Sequence, residues 1–159
     1  MPKPRICFFE LEPWEKDYLL QKLKNKGCEL QFIDGHLNEE NTDQIKDANI
    51  LGIFIYSVIN KKILDKLPKL KLITTLSTGF DHIDLKDCSK RNIAVCNVPH
   101  YGENTVAEHT FALILNLTRK IHKAYDRTTK GDFSLDGLRG ADLQGKTMGI
   151  IGTGSIGQH

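Results

Sequence analysis

Short apolar runs recur about every 22 residues along the first two thirds of the chain, each followed by a stretch with helical spacing. No other feature restricts the fold as much. The runs are Arg5–Glu10, Cys28–Asp34, Ile50–Tyr56, Leu72–Leu76 and Ile93–Cys96. Between them, Pro13 suits a first helical turn, with Trp14, Tyr18, Leu19 and Leu23 marking one helix face. Asn41–Ala48 forms a short polar helical segment, and Asn60 caps a helix that ends before Pro68. A last helix over Asp84–Arg91 stops at Asn92, a residue suited to a left-handed cap. Strand and helix in strict alternation imply right-handed crossovers and a parallel sheet covered on both sides. The Ile50–Tyr56 run is apolar on both faces and therefore central. The expected fold class is α/β, with residues 1–100 forming a flavodoxin-like, doubly wound domain that ends around Pro99–Gly102.

A second domain is expected over residues 101–159. Asn104–Ile121 is apolar almost all round, from Val106 through Phe111, Leu113 and Leu115 to Leu117, which implies a buried crossover helix. Lys123–Gln144 is polar and punctuated by glycine, suiting loop with a short helical piece. Thr147–Ile151 then has the composition of a buried strand and leads into Gly152-Thr-Gly154-Ser-Ile-Gly157. That is the G-x-G-x-x-G spacing of a dinucleotide-binding turn, the first βα element of a Rossmann domain. Gly152 would permit the tight turn, Gly154 would let a pyrophosphate approach the main chain, and Gly157 would let the next helix lie close. A helix opening near Ser155 would aim its N–H groups and positive dipole end at the phosphates.

Composition removes several alternatives. With 40% hydrophobic residues, 26% charged residues and a formal net charge of +2, no basic block marks a nucleic-acid or acidic-membrane partner. Lys61-Lys62 and Lys69–Lys71 read as solvated faces. No apolar run reaches the roughly 18 residues of a membrane span, and the N-terminus enters a strand, not a signal segment. Cys7, Cys28, Cys88 and Cys96 lack C-x-x-C spacing and suit reduced thiols in a cytoplasmic protein. Glu108-His109 has no second histidine one turn on, so no zinc pair is expected. His82, beside Asp81, suits a capping or surface role, His100 could line a cleft, and His109 is expected to pack within the crossover helix.

Four segments together carry a family resemblance: Ser77-Thr-Gly-Phe-Asp-His-Ile-Asp84, Asn97-Val-Pro-His-Tyr101, Val106-Ala-Glu-His-Thr-Phe-Ala-Leu113 and Leu143–Gly157. In order and spacing the chain resembles the N-terminal half of the D-isomer-specific 2-hydroxyacid dehydrogenases. The Pro-x-Tyr of Pro99-His-Tyr101 looks most like the D-lactate branch. The resemblance implies a small 2-oxo or 2-hydroxy acid substrate, NAD as cofactor with NADP as the alternative, and a homodimer. It implies that main-chain N–H groups of Ser77, Thr78 and Gly79 hold the substrate carboxylate, with Tyr101 reaching a substrate oxygen. It places Thr78 and Val106 beside the cofactor, and Gly152, Gly154, Ser155, Ile156 and Gly157 at its pyrophosphate. An arginine is frequent in the family at the Ser155 position, so one phosphate contact is absent here.

The same resemblance implies that the catalytic arginine, glutamate and histidine belong to the second half, beyond His159, as does the acidic residue about 20 positions after the glycines. These 159 residues are then expected to be inactive alone, and to associate through residues 104–121, whose apolar face lacks cover. Two readings from other classes stand beside this one. A non-enzymatic flavodoxin-like module is disfavoured because the third strand ends Tyr56-Ser57 without a phosphorylatable aspartate, and Leu11-Glu-Pro-Trp14 replaces a flavin loop. A dehydrogenase-like corepressor would keep the same fold for partner binding.

Overall fold

The computed structural model describes residues 2–159. The chain divides into two compact units, Met1–Pro99 and His100–His159. In the first, five strands alternate with helices: β1 (Arg5–Phe9), α1 (Pro13–Leu23), β2 (Glu29–Ile33), β3 (Ile50–Ile53), α2 (Lys61–Asp65), β4 (Leu72–Thr75), α3 (Leu85–Lys90) and β5 (Ala94–Cys96). A single turn of 3-10 helix, Thr42–Ile45, supplies the short polar element. The strands form one sheet in the order β2-β1-β3-β4-β5, and every pairing is parallel. This is the flavodoxin-like order, whose direction of winding reverses between β1 and β3.

The apolar runs bury as their composition requires. Cys7, Phe9, Leu51, Ile53 and Ile73 on the three inner strands are completely buried, joined by Leu37, Ile45, Ile59, Ile63 and Leu64 from the connections. Local signals set the helix ends. The Glu12 N–H donates to the Glu15 carboxylate ahead of α1 (2.8 Å), Asn60 accepts from the Ile63 N–H at the start of α2 (3.1 Å), and Asp84 accepts from the Asp87 N–H ahead of α3 (3.0 Å). Just beyond α3, Asn92 takes the left-handed conformation expected of it, with φ of 56°.

Gly52 explains itself through its neighbour strand. A Cβ there would lie 2.2 Å from Cδ1 and 2.5 Å from Cε1 of Phe8. That ring is itself buried and stacked on Phe32 of β2, with centroids 5.7 Å apart. Gly52→Ala should therefore overpack the sheet and cost about 2–3 kcal/mol in chemical denaturation. A loss below roughly 0.5 kcal/mol would show that the ring moves aside easily.

Three expectations change in this unit. Trp14 and Tyr18 are 68% and 54% exposed, and α1 buries no residue at all. Leu19 and Leu23, on the same face, are half-buried. The Ile50–Tyr56 run is strand only to Ile53; Ile55 and Tyr56 are exposed because the Phe54 and Tyr56 N–H groups turn to a side chain, described below. Of the two roles expected for His82, the capping one belongs to Asp84, and His82 itself is half-buried.

The second unit contains α4 (Glu103–Thr118), α5 (Ile121–Thr129) and a turn of 3-10 helix at Ile156–Gln158. Lys120, with φ of 56°, makes the bend between the two helices. No residue of this unit is buried. Phe111, Leu113 and Leu117 are among the exposed residues of α4, and His109 is exposed as well, contrary to the buried crossover helix expected from its composition. The unit holds no sheet to cover that helix. For the same reason Thr147–Ile151 is irregular: a parallel strand has no internal hydrogen bonds and needs a neighbour to supply them.

Candidate functional site

In open α/β sheets ligands lie outside the carboxyl ends of the strands, most often where the strand order reverses. Here that position, between β1 and β3, is taken by the chain itself. Glu10 follows β1 with φ of 61°, and its carboxylate accepts from the Phe54 N–H (2.6 Å), the Tyr56 N–H (2.7 Å) and the Ser57 hydroxyl (3.1 Å). Ser57, fully buried, accepts in turn from the Leu37 N–H (2.9 Å). The Glu10 N–H donates to Gly35 O (3.0 Å). Through its side chain and its main-chain N–H, Glu10 thus ties together the exits of β1, β2 and β3.

The next exit along the sheet is open. After β4 the chain runs through Ser77, Thr78 and Gly79, and every carbonyl of these three residues is occupied. Ser77 O accepts from the Val98 N–H (3.1 Å). Thr78 O accepts from the Asn97 amide (2.8 Å), and Gly79 O from the Ser77 hydroxyl (2.7 Å). The Thr78 hydroxyl is also committed, to Val98 O (3.0 Å). Among the described residues no acceptor takes the Thr78 or Gly79 N–H, and both residues are exposed. A loop whose carbonyls are held by its own protein while its amides face outward attracts anions. It suits a carboxylate, which can accept two such bonds, each worth about 1.5–3 kcal/mol when charge-assisted.

Behind the loop lies a hydroxyl pair. Thr75 and Ser77, fully and almost fully buried, are 2.6 Å apart, and Thr75 Oγ1 is 3.3 Å from His82 Nε2. Sequence reasoning missed Glu10, Thr75 and Asn97. Only Asn97, inside the Asn-Val-Pro segment, carried a visible signal.

In the second unit the glycine bend fulfils the steric part of its pattern. Gly152 has φ of 96°, and a Cβ on Gly157 would lie 2.1 Å from Gly152 O. Around Gly154 nothing stands within 4 Å of a Cβ, so the main chain there is open to a close approach. Ser155 precedes the single 3-10 turn that begins at Ile156.

Residues 6–151 match the sequence profile of the D-isomer specific 2-hydroxyacid dehydrogenase catalytic domain. The chain belongs to this family. It is 39% identical over 155 residues to 2-hydroxyacid dehydrogenase homolog 1 of Schizosaccharomyces pombe, covering 96% of this chain and 47% of that one. It is 35% identical to the D-lactate dehydrogenase of Escherichia coli, with the same coverage of each. Among solved structures, the Aquifex aeolicus D-lactate dehydrogenase, complexed with NAD and lactic acid, superposes with a TM-score of 0.84 at 35% identity, over 96% of this chain and 46% of that one. The chain spans about half the length of the curated relatives it matches.

The remaining positions singled out in this 2-hydroxyacid dehydrogenase family chain are on the surface of the second unit. Tyr101 is 60% exposed, immediately before α4, and Val106 is 46% exposed in its first turn. His100 meets the Glu103 carboxylate at 2.7 Å, and that contact holds the Glu103 carboxyl below its usual range. The four cysteines are free thiols. Burial pushes Cys7 up to about 11 and raises Cys88 as well, so neither is a thiolate at neutral pH. Among the described residues no cluster of His, Cys, Asp or Glu could hold a metal ion, and no helix is long and apolar enough to cross a membrane.

Proposed function

We propose that this chain is the N-terminal part of an NAD-dependent D-2-hydroxyacid dehydrogenase, which interconverts a small 2-oxo acid and its 2-hydroxy acid. Residues 1–100 are its substrate domain and residues 101–159 begin its cofactor domain. The observation that carries this reading is the Ser77–Gly79 loop, whose carbonyls are tied back while the Thr78 and Gly79 amides point outward. A 2-oxo acid presents one carboxylate beside its reacting carbon, so a pair of main-chain donors fixes both position and orientation. By the family resemblance, Tyr101 would offer its hydroxyl to a substrate oxygen.

The cofactor is nicotinamide dinucleotide, which supplies or accepts the hydride when bound. The residues that would hold it fit the task sterically. Gly152 adopts the left-handed turn, Gly157 leaves no room for a side chain, and Gly154 exposes its main chain. By the family resemblance, Ser155 and Ile156 would offer N–H groups to its pyrophosphate, and Thr78 and Val106 would be further positions that contact it. The NAD and lactic acid bound in the structure of the Aquifex relative support the choice of cofactor and of a 2-hydroxy acid. The enzyme is cytoplasmic and a homodimer, in keeping with the uncovered apolar side of α4.

The test is oxidation of NADH by the intact enzyme containing this chain, across a panel of 2-oxo acids. Turnover with at least one is expected, and these 159 residues alone should give none. An intact enzyme that reduces no 2-oxo acid would overturn the reading.

A further inference from the structure

The hydroxyl pair behind the Ser77–Gly79 loop has only one arrangement of protons, and that arrangement reaches a histidine. Gly79 O can only accept, so the single hydroxyl hydrogen of Ser77 is spent on it (2.7 Å). At 2.6 Å from Ser77 Oγ, Thr75 must then be the donor of that pair. With its own hydrogen spent, Thr75 Oγ1 must accept from His82 Nε2, 3.3 Å away. The chain of donors therefore runs His82 Nε2–H to Thr75, to Ser77, to the carbonyl of Gly79. Both hydroxyls belong to buried residues, where linked hydrogen bonds polarise one another. The main chain of His82 is held independently, because the Ile59 N–H donates to His82 O (2.8 Å).

We propose that His82 is a positioning residue, which through Thr75 and Ser77 holds the Gly79 carbonyl inward, and with it the Gly79–Phe80 peptide, so that this carbonyl cannot turn toward a substrate carboxylate lying against the Thr78 and Gly79 amides. The proposal rests on the dehydrogenase reading for its substrate and on the geometry alone for its proton order. His82 touches no reactant. It acts by denying the loop the peptide flip that would point a carbonyl at an anion.

Two measurements test it. Long-range proton–nitrogen spectra of the protein, at a pH where the ring is neutral, should show His82 with its proton on Nε2; a proton on Nδ1 would overturn the relay. In the intact enzyme, His82→Leu should raise KM for the 2-oxo acid roughly five- to tenfold, the value of one hydrogen bond, and change kcat and the KM for cofactor much less. His82→Gln, which restores a donor at a similar reach, should recover most of the loss. An unchanged KM in the leucine variant, or equal losses in the leucine and glutamine variants, would refute the assignment. If the unmodified enzyme turns over no 2-oxo acid, it is the dehydrogenase reading that fails, and the ring tautomer still decides the relay.

Discussion

Replacing Glu10 by alanine is expected to lower the stability of the first unit by about 3 kcal/mol, with a fall of roughly 10–20 °C in its unfolding midpoint. Three donors lose their acceptor at once: the Phe54 and Tyr56 N–H groups and the buried Ser57 hydroxyl. Two of these bonds are short and made to an ionised group, which places them among the stronger kind. Ser57 would keep its link to the Leu37 N–H but lose the partner that orients it. Glu10→Gln should fall between wild type and alanine, since its amide leaves one oxygen to accept where the carboxylate has two. Glu10→Gly separates the two contributions at this position. It loses the same bonds as alanine but tolerates the φ of 61°, and should be more stable than alanine by about 1 kcal/mol. Thermal and urea unfolding followed by circular dichroism would measure the series. An alanine variant within 1 kcal/mol of wild type would mean that the loops hold without the carboxylate.

Glu10 also marks where the sequence stops being legible. The alternation of strands and helices rests on local pattern, and so do the caps at Asn60 and Asn92; each of these is visible in a few neighbouring residues. The partners of Glu10 lie 44 to 47 residues away, so in sequence it reads as a charge at the end of a strand. Its effect is felt at those partners, where an apolar run that looks like strand to Tyr56 leaves the sheet after Ile53. Thr75 and His82 were illegible for a related reason: a threonine in a strand and a histidine in a turn acquire meaning only when the fold puts them on either side of Ser77. Trp14 and Tyr18 show the opposite limit. Their spacing defined a helix face correctly, but spacing does not reveal how much sheet lies beneath it. Thr147–Ile151 makes the same point for strands, whose hydrogen bonds must come from elsewhere.

Gly79→Ala should separate function from folding. A Cβ at Gly79 would meet only Asp81 Oδ2, at 3.7 Å, an ordinary contact, so the loop has room for a methyl group. Its carbonyl clamps, from Ser77 to Gly79 O and from Asn97 to Thr78 O, do not involve the added atom. Stability should stay within about 0.5 kcal/mol of wild type. The same methyl group stands on the residue whose N–H is proposed to receive the substrate carboxylate, where glycine permits an approach that any side chain obstructs. Displacing a bound 2-oxo acid by even a fraction of an ångström misaligns its reacting carbon for hydride transfer, and kcat/KM should fall roughly 10- to 100-fold. The cofactor dissociation constant should change far less, because the glycine bend proposed to take the pyrophosphate is in the second unit. Steady-state kinetics with the best 2-oxo acid, beside a cofactor titration, gives both numbers. Full activity in Gly79→Ala would remove the loop from the substrate site, and with it the observation on which the proposed function rests.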